Sequence, residues 1–383
     1  MIASGHEPAS DVRVLGAALE EIPRDEHTAA RFATVYHALG RRFDLVGSMR
    51  PSVPAVGDYL NILRHFYPKR GGWGARAGFN EWRFRRRSES IERQLESWNG
   101  RYDVIFQLQT LFAPGTRPAA QPYTVFTDNT YSLTKRHFPD WAPLSARQSR
   151  RWAELEALTC RDARYVFVPS DLVRDTMIAD YGCDPGQVVR VGFGTAIYEP
   201  ELPQRSWDTQ VALFVGIQFA RKGGPTLLEA WAKVARELPG AELWVVGPKG
   251  APASELPPGV RWLGYVSGRE ALVDLYRRAS VFVLPSIFDP YPNVLREAMG
   301  HGLPCVGSDS GGIPEIIAEG ETGLLAPVGE PTPLAHALID LLGNPVEAER
   351  MGRAGHAAVT SSQTWDHVAG RMAPYIESAA GGA

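Results

Sequence analysis

Cysteine is scarce in this chain: Cys160, Cys183 and Cys305 are the only three in 383 residues. The number is odd, the positions are far apart, and no pair has metal-ligand spacing. A disulfide framework and a zinc site are therefore not expected, and reduced cytosolic thiols are the default. Lysine is scarcer than the charge total suggests: five lysines stand against 35 arginines, a ratio that points to a GC-rich bacterial gene. Net charge is only −3, so no global field favours nucleic acid. No apolar run approaches the roughly 20 residues of a membrane span. The opening MIASGHEPAS has neither a basic start nor an apolar core, so no signal peptide and a cytoplasmic location are expected.

What is present is the composition of a globular protein, 44% apolar and 22% charged. The length suits two domains. Strand and helix patterns alternate along most of it, which implies doubly wound parallel sheets. Strands are expected at Val12–Leu19, Phe43–Gly47, Tyr102–Leu108, Tyr123–Thr127, Tyr165–Pro169 and Val188–Gly194. A helix from HTAARF runs through Leu39, another covers Asn80–Trp98, and Leu144–Thr159 places Trp152, Leu155 and Leu158 at core spacing. Glu199–Asp208, with Pro200 and Pro203, reads as the linker. Val211–Gly216, Ala241–Val246 and Val260–Leu263 open a second series of strands, and Trp365–Ile376 reads as a last amphipathic helix. Charge is uneven in the first half. Ten Lys or Arg lie between Arg64 and Arg101 against four Glu, with Trp73, Phe79, Trp82 and Phe84 interleaved. Such a stretch is either a solvated helix face with apolar anchors or a surface for an anionic lipid or acceptor.

The most informative stretch is SVFVLPSIFDPYPNVLREAMGHGLPCVGSDSGGIPEII, Ser280 to Ile317. A buried strand, Val281–Leu284, leads to a loop with Asp289. Pro292 is suited to the first turn of a helix that carries Glu297, eight positions after Asp289. A second strand, Leu303–Val306, leads to Gly311-Gly312 and an expected further helix with Pro314 and Glu315 near its start. Helix N-termini and flexible backbone at the carboxyl ends of parallel strands favour anionic ligands. Upstream, GIQFARKGG places Arg221 and Lys222 between a strand ending at Gly216 and a helix N-terminus. Two cations and free N–H groups there suit a diphosphate, although an Arg-Lys pair in a loop is often only solvent-facing.

The Asp289-x7-Glu297 spacing and the following EAMGHGLPCVGSDSGGIPEII resemble the nucleotide-sugar site of the retaining glycosyltransferases of family 4. The resemblance is strong from about Val211 to Val328. It implies the GT-B fold: an α/β protein of two Rossmann-like doubly wound parallel-sheet domains facing a central cleft. Residues 1–198 would form the acceptor-side domain, 199–363 the nucleotide-sugar domain, and a terminal helix over 364–378 would pack back on the first. The resemblance implies that Gly216, Arg221, Lys222, Tyr265, Asp289, Glu297 and the backbone of Tyr291, Pro292, Asn293 and Val294 hold the donor. Arg221 and Lys222 would clamp the diphosphate, Glu297 the ribose diol, Asp289 the sugar hydroxyls, and Tyr265 would pack against the base. Asp289 stands where the family usually has Glu, and Ile217 where a basic residue often follows the strand glycine.

In the first domain the likeness is weaker. His27 and Thr28 stand in place of a Gly-Gly pair, as acceptor contacts or a plain helix start. Asp128, after Thr127 where the family often has His, is an acceptor contact or weak base, or an Asx-turn or helix cap; Thr130 joins it on the acceptor side. The catalytic candidates are thus Asp289, Arg221, Lys222 and Asp128, with no metal site and no cofactor beyond the donor. The implied activity is metal-independent transfer, with retention, from a nucleoside-diphosphate sugar to an acceptor sugar, lipid or small molecule. A peripheral contact with the inner face of a membrane is a further partner reading. Two carboxylates also suit glycoside hydrolysis, but the adjacent cations favour a phosphate leaving group. The alternatives are a non-catalytic two-domain sugar-nucleotide-binding protein and a GT-B sugar-nucleotide epimerase.

Overall fold

The computed structural model describes residues 10–19, 34–66, 76–114, 122–141, 143–202, 204–251 and 255–381. His27, Thr28, Trp73 and the start of the HTAARF helix lie outside these residues. The chain forms two compact units. One runs to Gly194 and takes up the chain again at Trp365; the other is Thr195–Thr364.

The first unit is built on a six-stranded parallel sheet. Its strands are β1 (Ser10–Ala17), β2 (Phe43–Met49), β3 (Val104–Leu108), β4 (Tyr123–Phe126), β5 (Tyr165–Val168) and β6 (Val188–Arg190), in the order β2-β1-β3-β4-β5-β6. β3 and β4 are buried at every residue, as strands covered on both faces must be. The helices are α1 (Thr34–Gly40), α2 (Ala55–Arg64), α3 (Glu81–Glu96), α4 (Tyr131–His137), α5 (Ala146–Arg161) and α6 (Asp171–Tyr181). Short polar side chains start several of them. Asn80 caps α3, Thr130 caps α4, Ser170 caps α6, and Ser145 forms a reciprocal capping box with Gln148 on α5. On α5, Trp152 and Leu155 are in the core but Leu158 is exposed. Six positions from Trp152 is well off its face at 3.6 residues per turn. The sixth strand is shorter than its apolar run, because Gly192 turns the chain at φ 76°.

The second unit has its own parallel sheet. Strands β7 (Val211–Val215), β8 (Glu242–Val246), β9 (Val260–Gly264), β10 (Val281–Leu284), β11 (Cys305–Ser308) and β12 (Gly323–Ala326) lie in the order β12-β11-β10-β7-β8-β9. After β9 the chain returns to place β10 on the other side of β7. That reversal leaves a crevice between the carboxyl ends of β7 and β10, the usual ligand position in such sheets. Helices α7 (Gly224–Glu237), α8 (Arg269–Arg278), α9 (Asn293–Gly300), α10 (Pro331–Leu342) and α11 (Pro345–Ser362) complete the unit.

Three expectations are corrected here. Residues after Gly311-Gly312 form successive turns and no helix: the N–H groups of Ile316 and Ile317 both donate to the Ile313 carbonyl, at 2.9 and 3.0 Å, and the ladder stops. Pro292 is the N-cap of α9, with extended backbone, and not its first helical residue. Residues 199–208 are no free linker. The Glu199 N–H donates to the Gly300 carbonyl (3.0 Å), the Trp207 indole to the Gly302 carbonyl (3.0 Å), and Arg205 to the carbonyls of His301 and Ala279.

The chain returns to the first unit as α12 (Trp365–Gly381). Trp365 packs edgewise on Phe126 (5.9 Å between centroids) and lies 4.8 Å from Phe193. Arg371 donates to the Val191 carbonyl at 2.7 Å, and Asp366 pairs with Arg41 at 2.8 Å. Val368, Ala369, Met372 and Ile376 are buried at period 3.6.

Candidate functional site

The crevice between β7 and β10 is framed by two loops that are tied together. Residues 216–223 wind through turns in which Lys222, Gly223 and Gly224 donate to the carbonyls of Gln218, Ala220 and Phe219. Gly223 then starts α7 with φ 76°. A Cβ there would lie 1.7 Å from the Pro285 carbonyl oxygen, so only glycine lets the two loops approach this closely. The Ile287 N–H donates to the Arg221 carbonyl at 3.0 Å. A third loop, after β11, closes on the second. Ser310 Oγ donates to the Ile287 carbonyl (2.8 Å) and the Gly312 N–H to the Asp289 carbonyl (2.8 Å). Side chains at Gly311 and Gly312 would strike the carbonyl oxygens of Asp289 and Pro290, at 2.1 and 2.0 Å. The glycine pair therefore fixes the backbone of Asp289 and does not open a helix.

Arg221, Lys222 and Asp289 meet in this crevice. Lys222 Nζ and Arg221 Nη1 (3.2 Å) both donate to Asp289 Oδ2. Arg221 also donates from Nη1 to the Phe288 carbonyl (3.1 Å) and from Nε to Gln218 Oε1 (2.6 Å). All three charged side chains are largely shielded, at 18%, 12% and 9% exposure. Two cations against one carboxylate leave a net positive charge next to the N-terminus of α9, whose dipole has the same sign. In so shielded a setting that charge attracts an anion more strongly than it would in open water. Gly216 lies beside the Lys222 stem: a Cβ on it would come within 3.0 Å of Lys222 Cγ.

Glu297 is held differently. It lies buried on α9, its Oε1 accepting from Asn293 Nδ2 (2.7 Å) and its Oε2 from the Tyr276 hydroxyl (3.1 Å). Burial, then the neighbouring Glu297 charge, push the Tyr276 phenol well up, so it stays protonated and donates. Asn293 Oδ1 accepts in turn from Arg296, whose guanidinium lies 4.5 Å over the Tyr291 ring. The His301 ring stacks on Tyr276 (5.1 Å, 19°) and its Nδ1 is 2.7 Å from the Glu297 carbonyl. Burial lowers the His301 pKa, so the neutral ring with a proton on Nδ1 satisfies that carbonyl. A carboxylate oxygen accepts more than one hydrogen bond, so Glu297 keeps capacity for a further donor. Tyr291 and Asn293 are buried, with Pro292 extended between them, and Val294 is in the first turn of α9. Tyr265 follows β9, two strands from β7, and is exposed, as is Ile217.

In the first unit, Asp128 is half-buried in the loop after β4. Thr130 is buried and caps α4, its hydroxyl accepting from the Leu133 N–H at 3.0 Å. His27 and Thr28 are outside the described residues. At Tyr131, three residues after Asp128, the chain meets a group that the sequence reading missed. Glu156, buried on α5, accepts from Thr110 Oγ1 (2.5 Å), from the Tyr131 N–H (2.9 Å) and from the Tyr181 hydroxyl. It thus joins the chain after β3 to the chain after β4. Tyr276 and His301 were missed too. Nothing in their spacing marks them, since their role depends on α8 packing beside α9.

Residues 209–344 match the family model described as Glycosyl transferases group 1. The alpha-maltose-1-phosphate synthase of Mycolicibacterium smegmatis is 28% identical over 256 residues, 58% of this chain and 64% of that protein. The chain therefore spans less than two thirds of that relative's length. Among solved structures, the sucrose-phosphate synthase of Thermosynechococcus elongatus aligns over 96% of this chain and 98% of its own, with a TM-score of 0.67 at 17% identity. HepE from Anabaena, solved with UDP and glucose, aligns over 95% and 99%, with a TM-score of 0.62 at 16% identity. At those identities the structural likeness speaks for the fold, an α/β GT-B architecture with two Rossmann-like sheets. Residues 209–344, which include the crevice between β7 and β10, thus match the group 1, GT4-type glycosyltransferase family.

Proposed function

We propose that this protein is a retaining glycosyltransferase that moves a sugar from a nucleoside-diphosphate sugar to an acceptor hydroxyl without a metal ion. The observation that carries the reading is the convergence of Arg221 and Lys222 on one oxygen of Asp289 at the switch point of the second sheet. The family match supports it, as does the UDP found in the HepE structure. On this reading the diphosphate binds over the loop after β7. Lys222 and Arg221 then share their donors between phosphate oxygens and Asp289, Glu297 accepts from the ribose hydroxyls, and Asp289 from those of the sugar. The backbone of Tyr291–Val294 lines the sugar and phosphate pocket, and Tyr265 packs against the base. Asp128 and Thr130 are assigned to acceptor recognition.

In the transfer step the bond from the anomeric carbon to the diphosphate oxygen breaks, and its electron pair goes to that oxygen. The acceptor hydroxyl attacks the same face, and its proton passes to the departing phosphate. Preorganised cations stabilise the charge that develops there, where one well-aimed donor contributes roughly 3–4 kcal/mol. The test is incubation with a panel of sugar nucleotides and candidate acceptors in excess EDTA. Nucleoside diphosphate release and the anomeric configuration of the product are read out. Turnover with retained configuration is expected. Inversion, or activity that EDTA abolishes and Mg²⁺ or Mn²⁺ restores, would overturn the mechanism. Tight donor binding with no turnover would favour a non-catalytic binding protein.

A further inference from the structure

Helix α2 faces the wrong way for a soluble surface. Val56, Tyr59, Leu60 and Leu63, followed by Phe66 just past the helix end, recur at helical spacing and are 49–76% exposed. Asp58 and Asn61, on the other side of the helix, are turned toward the protein instead. Asp58 pairs with Arg83 at 2.7 Å, Asn61 is buried and donates to the Ala77 carbonyl at 3.0 Å, and Gly57 lies against the Trp82 ring. The His65 ring is 2.8 Å from the Asn61 carbonyl. A helix anchored by its polar side and presenting a continuous apolar stripe marks an interaction surface.

The stripe borders a groove of about 750 Å³ lined by Leu60, Arg64, Trp82, Arg85, Arg147 and Arg151. Its single carboxylate, Glu81, is bound by Arg85 and Arg151, which hold its pKa down to about 2. Four arginines and one acid line the groove, and Arg151 also pairs with Glu154 at 3.1 Å. Arg64 and Arg147 are exposed. The charge that first marked this region is distributed otherwise. Arg83 and Arg86 are paired with Asp58 and Glu89, and Arg87 is half-buried and donates to the Leu111 carbonyl.

We infer that α2 and this groove form a docking surface for an anionic bilayer. The apolar stripe enters the headgroup–acyl boundary, Tyr59 and Trp82 sit at the interface, and the arginines meet lipid phosphates. Charge complementarity selects this occupant. Two copies meeting on a two-fold axis would bring the same arginines together, an unfavourable arrangement. None of the described helices is long and apolar enough to cross a membrane, so the contact is peripheral. The inference does not depend on the transfer reaction.

The test is flotation of the full chain with phosphatidylglycerol–phosphatidylcholine vesicles and with phosphatidylcholine vesicles, at low and high salt. Binding to the anionic vesicles, weakened by salt, is expected. The paired exposed substitutions Leu60→Gln and Leu63→Gln should weaken it by about tenfold or more with unchanged thermal unfolding. Arg64→Ala with Arg147→Ala should remove the preference for anionic lipid while the stripe stays intact. No binding to anionic vesicles at low salt would overturn the inference, as would wild-type binding by the leucine variant. A dimer that the leucine substitutions dissociate would assign the face to a second copy and overturn it equally.

Discussion

At the scale of the residue, Asp289 carries two demands at once. It organises Arg221 and Lys222 through one oxygen, and on the proposed reading it also meets the transferred sugar. Asp289→Asn removes the anion that competes with phosphate for those cations. We therefore expect a strong fall in kcat with nucleoside diphosphate affinity unchanged or tighter, measured by calorimetry beside steady-state rates. Lys222→Ala should weaken diphosphate binding by about 1.5–3 kcal/mol, the range for a charged hydrogen bond. Unchanged affinity in a folded Lys222→Ala variant would remove the phosphate clamp from the reading. Glu156 supplies a different residue-level test. Burial pushes its pKa above the ordinary 4.5 despite three donors. The folded state therefore binds its proton more tightly than the unfolded chain does, and the stability this adds is present below pH 4.5 and lost as pH rises through the raised value. Glu156→Gln should flatten that part of the stability–pH curve, read by denaturant titration at several pH values. An identical curve would mean that Glu156 is not protonated there.

At the scale of the element, the site is three loops locked by backbone contact. Gly223 is the tightest point. Gly223→Ala has to move the loop away from the Pro285 carbonyl and hold φ 76° on a residue with a side chain. A stability loss of about 1–3 kcal/mol is expected, together with weakened diphosphate binding. Wild-type melting and affinity would show that the loop has slack that the contact does not suggest. This level was only partly legible in the sequence. Buried strands such as Val281–Leu284 announce themselves by composition; Arg221, Lys222 and Asp289 stand near strand ends, but it was the family resemblance that grouped them into one site. The turns after Gly312 could not. A Gly-Gly-x-Pro-Glu string is locally consistent with a helix start, and the third loop's packing on Asp289 and Pro290 decides against it. The linker expected at 199–208 failed similarly. Its two prolines read as a break between domains, but Trp207 and Arg205 find carbonyls on α8, α9 and their flanks. The inverted polarity of α2 was also hidden, because periodicity shows a stripe but not the side of the helix that meets the core.

At the scale of the whole molecule, one unit is continuous in sequence and the other is not. The first sheet receives Trp365 and the buried face of α12 only after the whole Thr195–Thr364 unit has intervened. Ending the chain after Thr364 should therefore expose Phe126 and Phe193 and destabilise the first unit, while the second keeps its cooperative transition. Two separate thermal transitions, with only the first lowered by truncation, are the expected calorimetric result; equal loss in both would show that α12 supports the two units alike. The nesting also has a consequence for birth on the ribosome. Strands β1 to β6 emerge early but wait for their last helix, so the later-made unit can finish folding before the earlier one. Until α12 is synthesised, the aromatic floor formed by Phe126 and Phe193 is available to chaperones and to neighbouring nascent chains, and the pace of translation through Thr195–Thr364 sets how long that interval lasts.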